Sequence, residues 1–175
     1  MLVTLPSGKY LISLSNAQEQ GSDADPEHLS SLQNDCARND VQRFLSFSER
    51  SSGQLREKVL SLGYPDPVAD ITVSWAIEYG FVDDRRFCEL FISSRTMGKV
   101  RLKMELSRRR VPGAVVDQVL KTVSETESIK ELVKQVSTRY GSIADHETAR
   151  RRASGWLSRR GFSSETVHQV LKEAL

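Results

Sequence analysis

LREKVLSLGYPDPVADITV at 55–73, LKMELSRRRVPGAVVDQVL at 102–120 and ASGWLSRRGFSSETVHQVL at 153–171 lie over one another without a gap, and that agreement decides the fold. Each copy carries an apolar pair one helical turn apart: Leu55/Val59, Leu102/Leu106 and Ala153/Leu157. Each then breaks and sets an apolar residue after the break, Tyr64, Val111 or Phe162. Each resumes with apolar positions at helical spacing: Val68, Ala69 and Val73; Val115, Val119 and Leu120; Val167, Val170 and Leu171. The break is a helix stop followed by a helix start. Gly63 and Gly161 can take the left-handed conformation past a helix C-terminus, and Pro65, Pro112 and Ser163 suit the first positions of the next helix. Arg110 stands at the glycine position of the middle copy, so that turn is either strained, at about 1 kcal/mol, or capped differently.

Working outward, a further helix precedes each break. In the middle unit Asp83 or Asp84 caps a helix with Phe87, Leu90, Phe91 and Ser94 on one face, ending before Gly98, with Phe81 and Val82 ahead of it as a staple. In the last unit the helix is Ile129 to Tyr140, with Leu132, Val133 and Val136 inward. In the first, Asp25-Pro26-Glu27 starts a helix whose apolar positions are Leu29, Leu32, Cys36, Val41, Phe44 and Leu45. Val3 to Ser13 reads as two β-prone runs joined by turn residues Pro6 to Lys9, and Asn16 to Asp25 reads as a loop. The expected architecture is all-α: three tandem three-helix repeats in an elongated curved array, after a short N-terminal β-hairpin. Expected bounds are 1–25 for hairpin and loop and 26–80, 81–125 and 126–175 for the repeats. One such unit buries little surface, which favours stacking in series.

The 175 residues are 38% hydrophobic and 27% charged, a globular profile, with a net charge of +2. That small excess hides an asymmetry. The first forty residues carry Lys9 and Arg38 against Glu19, Asp23, Asp25, Glu27, Asp35 and Asp40. From Gly98 to Lys121, Lys99, Arg101, Lys103, Arg108, Arg109, Arg110 and Lys121 face only Glu105 and Asp117. Such asymmetry points to a polyanionic partner. The start of the chain lacks a signal peptide pattern and no run is long and apolar enough for a membrane span, so a cytoplasmic protein is expected.

Enzyme chemistry finds no support. Asp83-Asp84 has no histidine or third carboxylate nearby and reads as a helix N-terminus, where acids meet unsatisfied amides. Cys36 and Cys88 form no CxxC, and His28, His146 and His168 form no ligand constellation, so no metal or cofactor is expected. Ser51, Ser52, Ser163 and Ser164 read as caps rather than nucleophiles. Trp75, Trp156, Phe87 and Phe91 lie in helical apolar stripes and read as core.

The stretch Gly80-Phe81-Val82-Asp83-Asp84-Arg85-Arg86-Phe87-Cys88-Glu89-Leu90-Phe91-Ile92-Ser93-Ser94-Arg95-Thr96-Met97-Gly98-Lys99 resembles the RecX regulators of the RecA recombinase. Their signature there is D-D-x-x-F-A-x-x-F-(I/V)-x-x-R-x-x-x-G, with Cys88 here in place of alanine. Arg159-Arg160-Gly161-Phe162-Ser163, continuing through Val167 and Val170, is similar to the family's closing pattern. Gln54, where the first unit usually has an acid, and Arg110 depart from it. The resemblance extends over residues 38 to 175. It implies a non-enzymatic protein that binds RecA filaments on DNA and restrains their ATPase, strand-exchange and co-protease activities.

The residues expected to carry that contact are cations with few acids at the compensating i+4 spacing: Arg95, Lys99, Arg101, Lys103, Arg108 and Arg109, then Arg150, Arg151, Arg152, Arg159 and Arg160. Two other readings stay open: a helical protein binding DNA non-specifically or as a transcription-type regulator without RecA, and an adaptor for another acidic protein. The third helices begin PDPVAD, PGAVVD and SSETVH, poor in the Arg, Asn and Gln that read base edges. A monomer is expected.

Overall fold

The computed structural model describes residues 2–5, 8–12, 25–125 and 128–175. Two antiparallel strands, β1 (Leu2–Leu5) and β2 (Gly8–Leu11), pair Leu2 with Leu11 and Leu5 with Gly8. Pro6 and Ser7 of the expected turn, and all but Asp25 of the expected loop, lie outside the described residues.

Nine α-helices follow among the described residues: α1 (Pro26–Ser46), α2 (Ser52–Ser61), α3 (Asp66–Glu78), α4 (Asp84–Ser93), α5 (Lys99–Arg108), α6 (Gly113–Thr122), α7 (Ile129–Tyr140), α8 (His146–Arg159) and α9 (Ser164–Ala174). They are the three three-helix repeats, and each has its own apolar core. The first gathers Ala37, Val41, Leu55, Val59, Val68, Ala69 and Ala76. The second gathers Phe87, Cys88, Phe91, Leu102, Leu106, Val116 and Val119. The third gathers Leu132, Val136, Ala153, Leu157, Val167, Val170 and Leu171. Burying a leucine such as Leu55, Leu106 or Leu157 completely contributes roughly 1.5–3 kcal/mol. The chain divides into two compact units, one up to Asp84 and one from Arg85 onward. The second and third repeats share the latter.

Helix ends follow local chemistry. Asp25 caps α1 through the Glu27 N–H, and Asp145 caps α8 through the Glu147 and Thr148 N–H groups. Ser51 and Gln54 form a capping box at α2: the Gln54 N–H donates to Ser51 Oγ at 3.1 Å and the Ser51 N–H to Gln54 Oε1 at 3.2 Å. The amide at position 54 thus fills the place that an acid usually takes. The turns after α5 and α8 are Schellman motifs: Val111 N–H donates to Leu106 O and Phe162 N–H to Leu157 O. All three repeats keep the left-handed residue, with φ of 95° at Gly63, 56° at Arg110 and 81° at Gly161. Of the two alternatives for Arg110, the strained turn is the one adopted.

Several face assignments are corrected. Leu90, expected inward, is 51% exposed, and Cys88 takes its place in the second core. In α1 the buried line is Leu29, Gln33, Ala37 and Val41, while Leu32, Cys36, Phe44 and Leu45 are half-buried. Phe81 and Val82 do not staple α4: Val82 enters the first core, and Phe81 lies tilted against Trp75 with ring centroids 5.1 Å apart. Trp75 and Trp156 are half-buried at the margins of their cores rather than inside them.

Candidate cationic binding surface

The second repeat carries its cations on and around α5, whose inner line is Leu102 and Leu106. Glu105 accepts from three guanidinium groups at once: Arg101 at 2.8 Å and Arg108 at 3.1 Å on one oxygen, Arg109 at 3.1 Å on the other. The hydrogen bond from Arg109 is foremost in holding the Glu105 carboxyl below its usual range, with the charges of Arg101, Arg108 and Arg109 adding to it. Lys103 pairs with Asp117 of α6 at 2.7 Å. Counting acids at i+4 along α5 does not find this pairing, because Asp117 comes from the next helix. Arg95 and Arg109 both lie over the Phe91 ring, at 3.9 and 4.3 Å from its centroid, and Arg95 also donates to Phe91 O and Ser94 Oγ. Five of the cations expected at the site are therefore held by intramolecular contacts, and the three arginines around Glu105 leave a net excess of two charges.

The third repeat differs. Arg151, Arg152 and Arg159 are exposed on α8 and have no carboxylate partner among the described residues. Spacings of seven and eight residues put Arg152 and Arg151 on the same side of the helix as Arg159, two turns away. Arg159 lies back over Gly155, its Nη1 only 3.3 Å from where a Cβ would stand. Arg150 instead donates to Leu171 O at 3.4 Å, and Arg160 to Gln135 Oε1 at 3.2 Å and Thr96 O at 2.7 Å, with its guanidinium 4.6 Å from the Trp156 ring centroid. These two tie elements together. Arg139, outside the expected set, has its guanidinium 5.9 Å from the ring centroids of both Tyr140 and Trp156. Its only sequence signal was its place beside Tyr140.

The second and third repeats are clamped by contacts that fix α8 relative to α5. Gly98 N–H donates to Arg160 O at 2.9 Å and Val100 N–H to Gly161 O at 3.3 Å. Glu125 accepts from Lys99 N–H at 2.9 Å on one oxygen, and on the other from Ser163 N–H at 3.1 Å, Ser163 Oγ at 2.9 Å and Thr166 Oγ1 at 2.7 Å. One carboxylate thus serves the N-termini of α5 and α9, where unsatisfied amides and helix dipoles favour negative charge. Burial raises its pKa, but the Lys99 amide, the Thr166 hydroxyl and the Ser163 amide and hydroxyl together outweigh that and leave it below the ordinary value. Lys99, expected as a contact residue, supplies its backbone N–H to this clamp.

Of the Asp83-Asp84 pair, Asp84 is also structural. Asp84 accepts from Ser52 N–H at 2.9 Å and Ser52 Oγ at 2.6 Å. The amide that its carboxylate meets is at the start of α2, not of its own helix. Among the described residues no group of three or more His, Cys, Asp or Glu could hold a metal ion, and no helix is long and apolar enough to cross a membrane.

The repeats coincide with two family models: residues 37–75 match the first three-helix domain of RecX and residues 83–120 the second. Regulatory protein RecX of Trichlorobacter lovleyi is 30% identical over 139 residues, covering 75% of this chain and 90% of that one. RecX of Amycolatopsis mediterranei is 31% identical over 138 residues, covering 75% and 78%. The matched region spans 66% of the length of RecX from Clostridium acetobutylicum, at 30% identity and 75% of this chain. The crystal structure of RecX from Lactobacillus salivarius superposes with a TM-score of 0.72 over 81% of this chain and 96% of that one, at 17% identity, a likeness of fold. By its repeats, its motif and these relatives, the chain belongs to the RecX family of regulatory proteins.

Proposed function

We propose that this chain binds nucleoprotein filaments of the RecA recombinase and restrains their ATP hydrolysis, strand exchange and co-protease activity, with the outer face of α8 as its principal contact. The observation that carries this is the group Arg151, Arg152 and Arg159, exposed on one helix and without an ion pair among the described residues. Guanidinium groups in that state suit acidic protein surfaces and backbone phosphates, the two chemistries a filament presents. Cations that bridge neighbouring filament subunits hinder the motion that ATP turnover requires. Many such contacts on a repeating lattice favour filament over free recombinase.

The test titrates the full chain into RecA on single-stranded DNA and follows ATP hydrolysis. Depression at substoichiometric ratios is the expected result, and no depression at excess refutes the reading. Arg151→Glu with Arg152→Glu weakens inhibition at least tenfold, about 1.4 kcal/mol. Arg108→Glu weakens it less, since Arg108 shares Glu105. The same arginines also suit plain phosphate contact, the reading in which the chain acts on DNA without RecA. Binding to bare DNA that accounts for the whole inhibition, with the same steep salt dependence, decides for that alternative.

A further inference from the structure

The α3 helix is apolar on two sides. Val68, Ala69, Thr72 and Ala76 face the first core. Away from that core Ile71 is 43% exposed, Tyr79 66% and Phe81, just beyond the helix, 48%, while Ile77, 51% exposed, lies about a third of a turn around from Ile71. Four of the chain's exposed large apolar side chains thus fall within eleven residues, whereas single exposed ones are ordinary on any surface. A helix that is apolar on both sides is normally covered on both, and a clustered, uncovered patch marks a contact surface.

The patch has shape and sign. Ile71, Trp75 and Tyr79 recur every fourth residue and form a stripe along α3. Trp75 stands 6.0 Å from Tyr79 and 5.1 Å from Phe81, so the aromatic rings close its C-terminal end. Arg38 of α1 reaches over Trp75, its guanidinium 5.6 Å from the ring centroid, and forms the other wall. Between them runs a cleft of about 450 Å³, lined also by Asp70, Ser74 and Glu78. Within the helix the charges are Asp66, Asp70 and Glu78, with no lysine or arginine. Arg56 neutralises Asp66 and Asp70, donating to them at 2.5 and 2.8 Å, while Glu78 has no ion pair among the described residues.

We propose that the outer face of α3 is a docking groove for an amphipathic helix of a partner protein that carries lysine or arginine beside its apolar stripe. The apolar stripe of such a helix covers Ile71, Trp75 and Tyr79, and its cation reaches Glu78 beside the Tyr79 ring, gaining both an ion pair and a cation–π contact; the Trp75 ring already carries Arg38, whose own charge is paired with Asp35 at 3.2 Å. Tryptophan and tyrosine in a groove are the residue types that carry most of the energy in contacts of this kind. This face is opposite in chemistry to the arginines of α8. A cationic helix does not suit α8, and a phosphate backbone does not suit α3.

The test uses the full chain and two fluorescent eighteen-residue peptides, both with leucines at i, i+3, i+4 and i+7, one flanked by lysines and the other by glutamates. Fluorescence anisotropy reads the affinity. The lysine peptide binds at least tenfold more tightly than the glutamate peptide. Ile71→Ser with Tyr79→Ser, both exposed positions, weakens it at least tenfold with unchanged circular dichroism, and Glu78→Lys alone weakens the lysine peptide and strengthens the glutamate one. Equal affinity for the two peptides, binding of neither, or binding indifferent to these substitutions overturns the proposal. So does a dimer in sedimentation that Ile71→Ser with Tyr79→Ser turns into monomer, because the face is then covered by a second copy of this chain.

Discussion

Replacing Gly98 by alanine isolates the clamp between the second and third repeats. The backbone of Gly98 is extended, with φ of −73° and ψ of 161°, so any residue adopts it without strain. What excludes a side chain is the space beside it. A Cβ there stands 2.0 Å from Gly161 O, 2.1 Å from Gly161 C and 2.2 Å from Phe162 N, all backbone atoms, where real Cβ atoms do not come under 3.0 Å. The two chain segments must part by about 1 Å to reach that limit. That separation breaks or weakens the hydrogen bonds from Gly98 N–H to Arg160 O and from Val100 N–H to Gly161 O, and strains the one from Lys99 N–H to the Glu125 carboxylate. At about 1 kcal/mol for a neutral hydrogen bond and more for one to a charge, Gly98→Ala costs roughly 2–4 kcal/mol.

Gly113→Ala is the control: it opens α6, and a Cβ there meets nothing within 4 Å. Alanine is the better helix former, so that variant is neutral or slightly stabilised. Urea unfolding of both, followed by far-ultraviolet circular dichroism, gives the comparison. If Gly98→Ala unfolds within about 0.5 kcal/mol of Gly113→Ala, the close approach of Gly98 to Gly161 is not holding the repeats together and the reasoning fails.

Arg110→Gly removes a left-handed φ of 56° from a residue with a Cβ. Relief of about 1–2 kcal/mol, less the greater freedom glycine has in the unfolded chain, leaves a gain of about 0.5–1 kcal/mol, seen as a higher thermal midpoint. A lower midpoint refutes it. Glu125→Gln removes a charge that serves two helix N-termini and costs about 1–2 kcal/mol near neutral pH. Because the folded pKa of Glu125 lies below its ordinary value of 4.5, its stabilisation is present above the unfolded pKa and is lost as pH falls through the folded one. The stability gap between wild type and Glu125→Gln, from denaturant melts at a series of pH values, therefore closes on acidification below that range. A gap constant with pH is the contrary result.

The repeats were legible because each break is local chemistry. A helix pair with an apolar residue after a left-handed position reads the same way at Gly63-Tyr64, Arg110-Val111 and Gly161-Phe162, and the structure keeps that conformation even where arginine replaces glycine. Helix faces were less legible. In α1 the line that packs deepest includes Gln33 and Ala37, so picking the largest apolar side chains selected its half-buried flanks. Leu90 misled for the same reason: Cys88, two residues earlier, is small, fully buried and more than half a turn from where the larger residue points.

The candidate site was legible as a list of cations and illegible as a surface, because a charge's availability depends on partners brought from elsewhere in the chain. Lys103 is matched by Asp117 fourteen residues on, and Arg160 reaches Thr96 O across sixty-four. Neither pairing follows an i+4 rule, so counting acids along one helix overstated the free charge of α5. On α8 no ion pair from elsewhere reaches Arg151, Arg152 or Arg159 among the described residues, so there the count along the helix and the structure agree on charge. Glu125 shows the other side of this dependence. Two helix N-termini that would attract an external anion are already served by a carboxylate from this chain, so the structure spends that potential on holding α5 and α9 together. The arginines of α8 are placed relative to the second repeat by the same clamp.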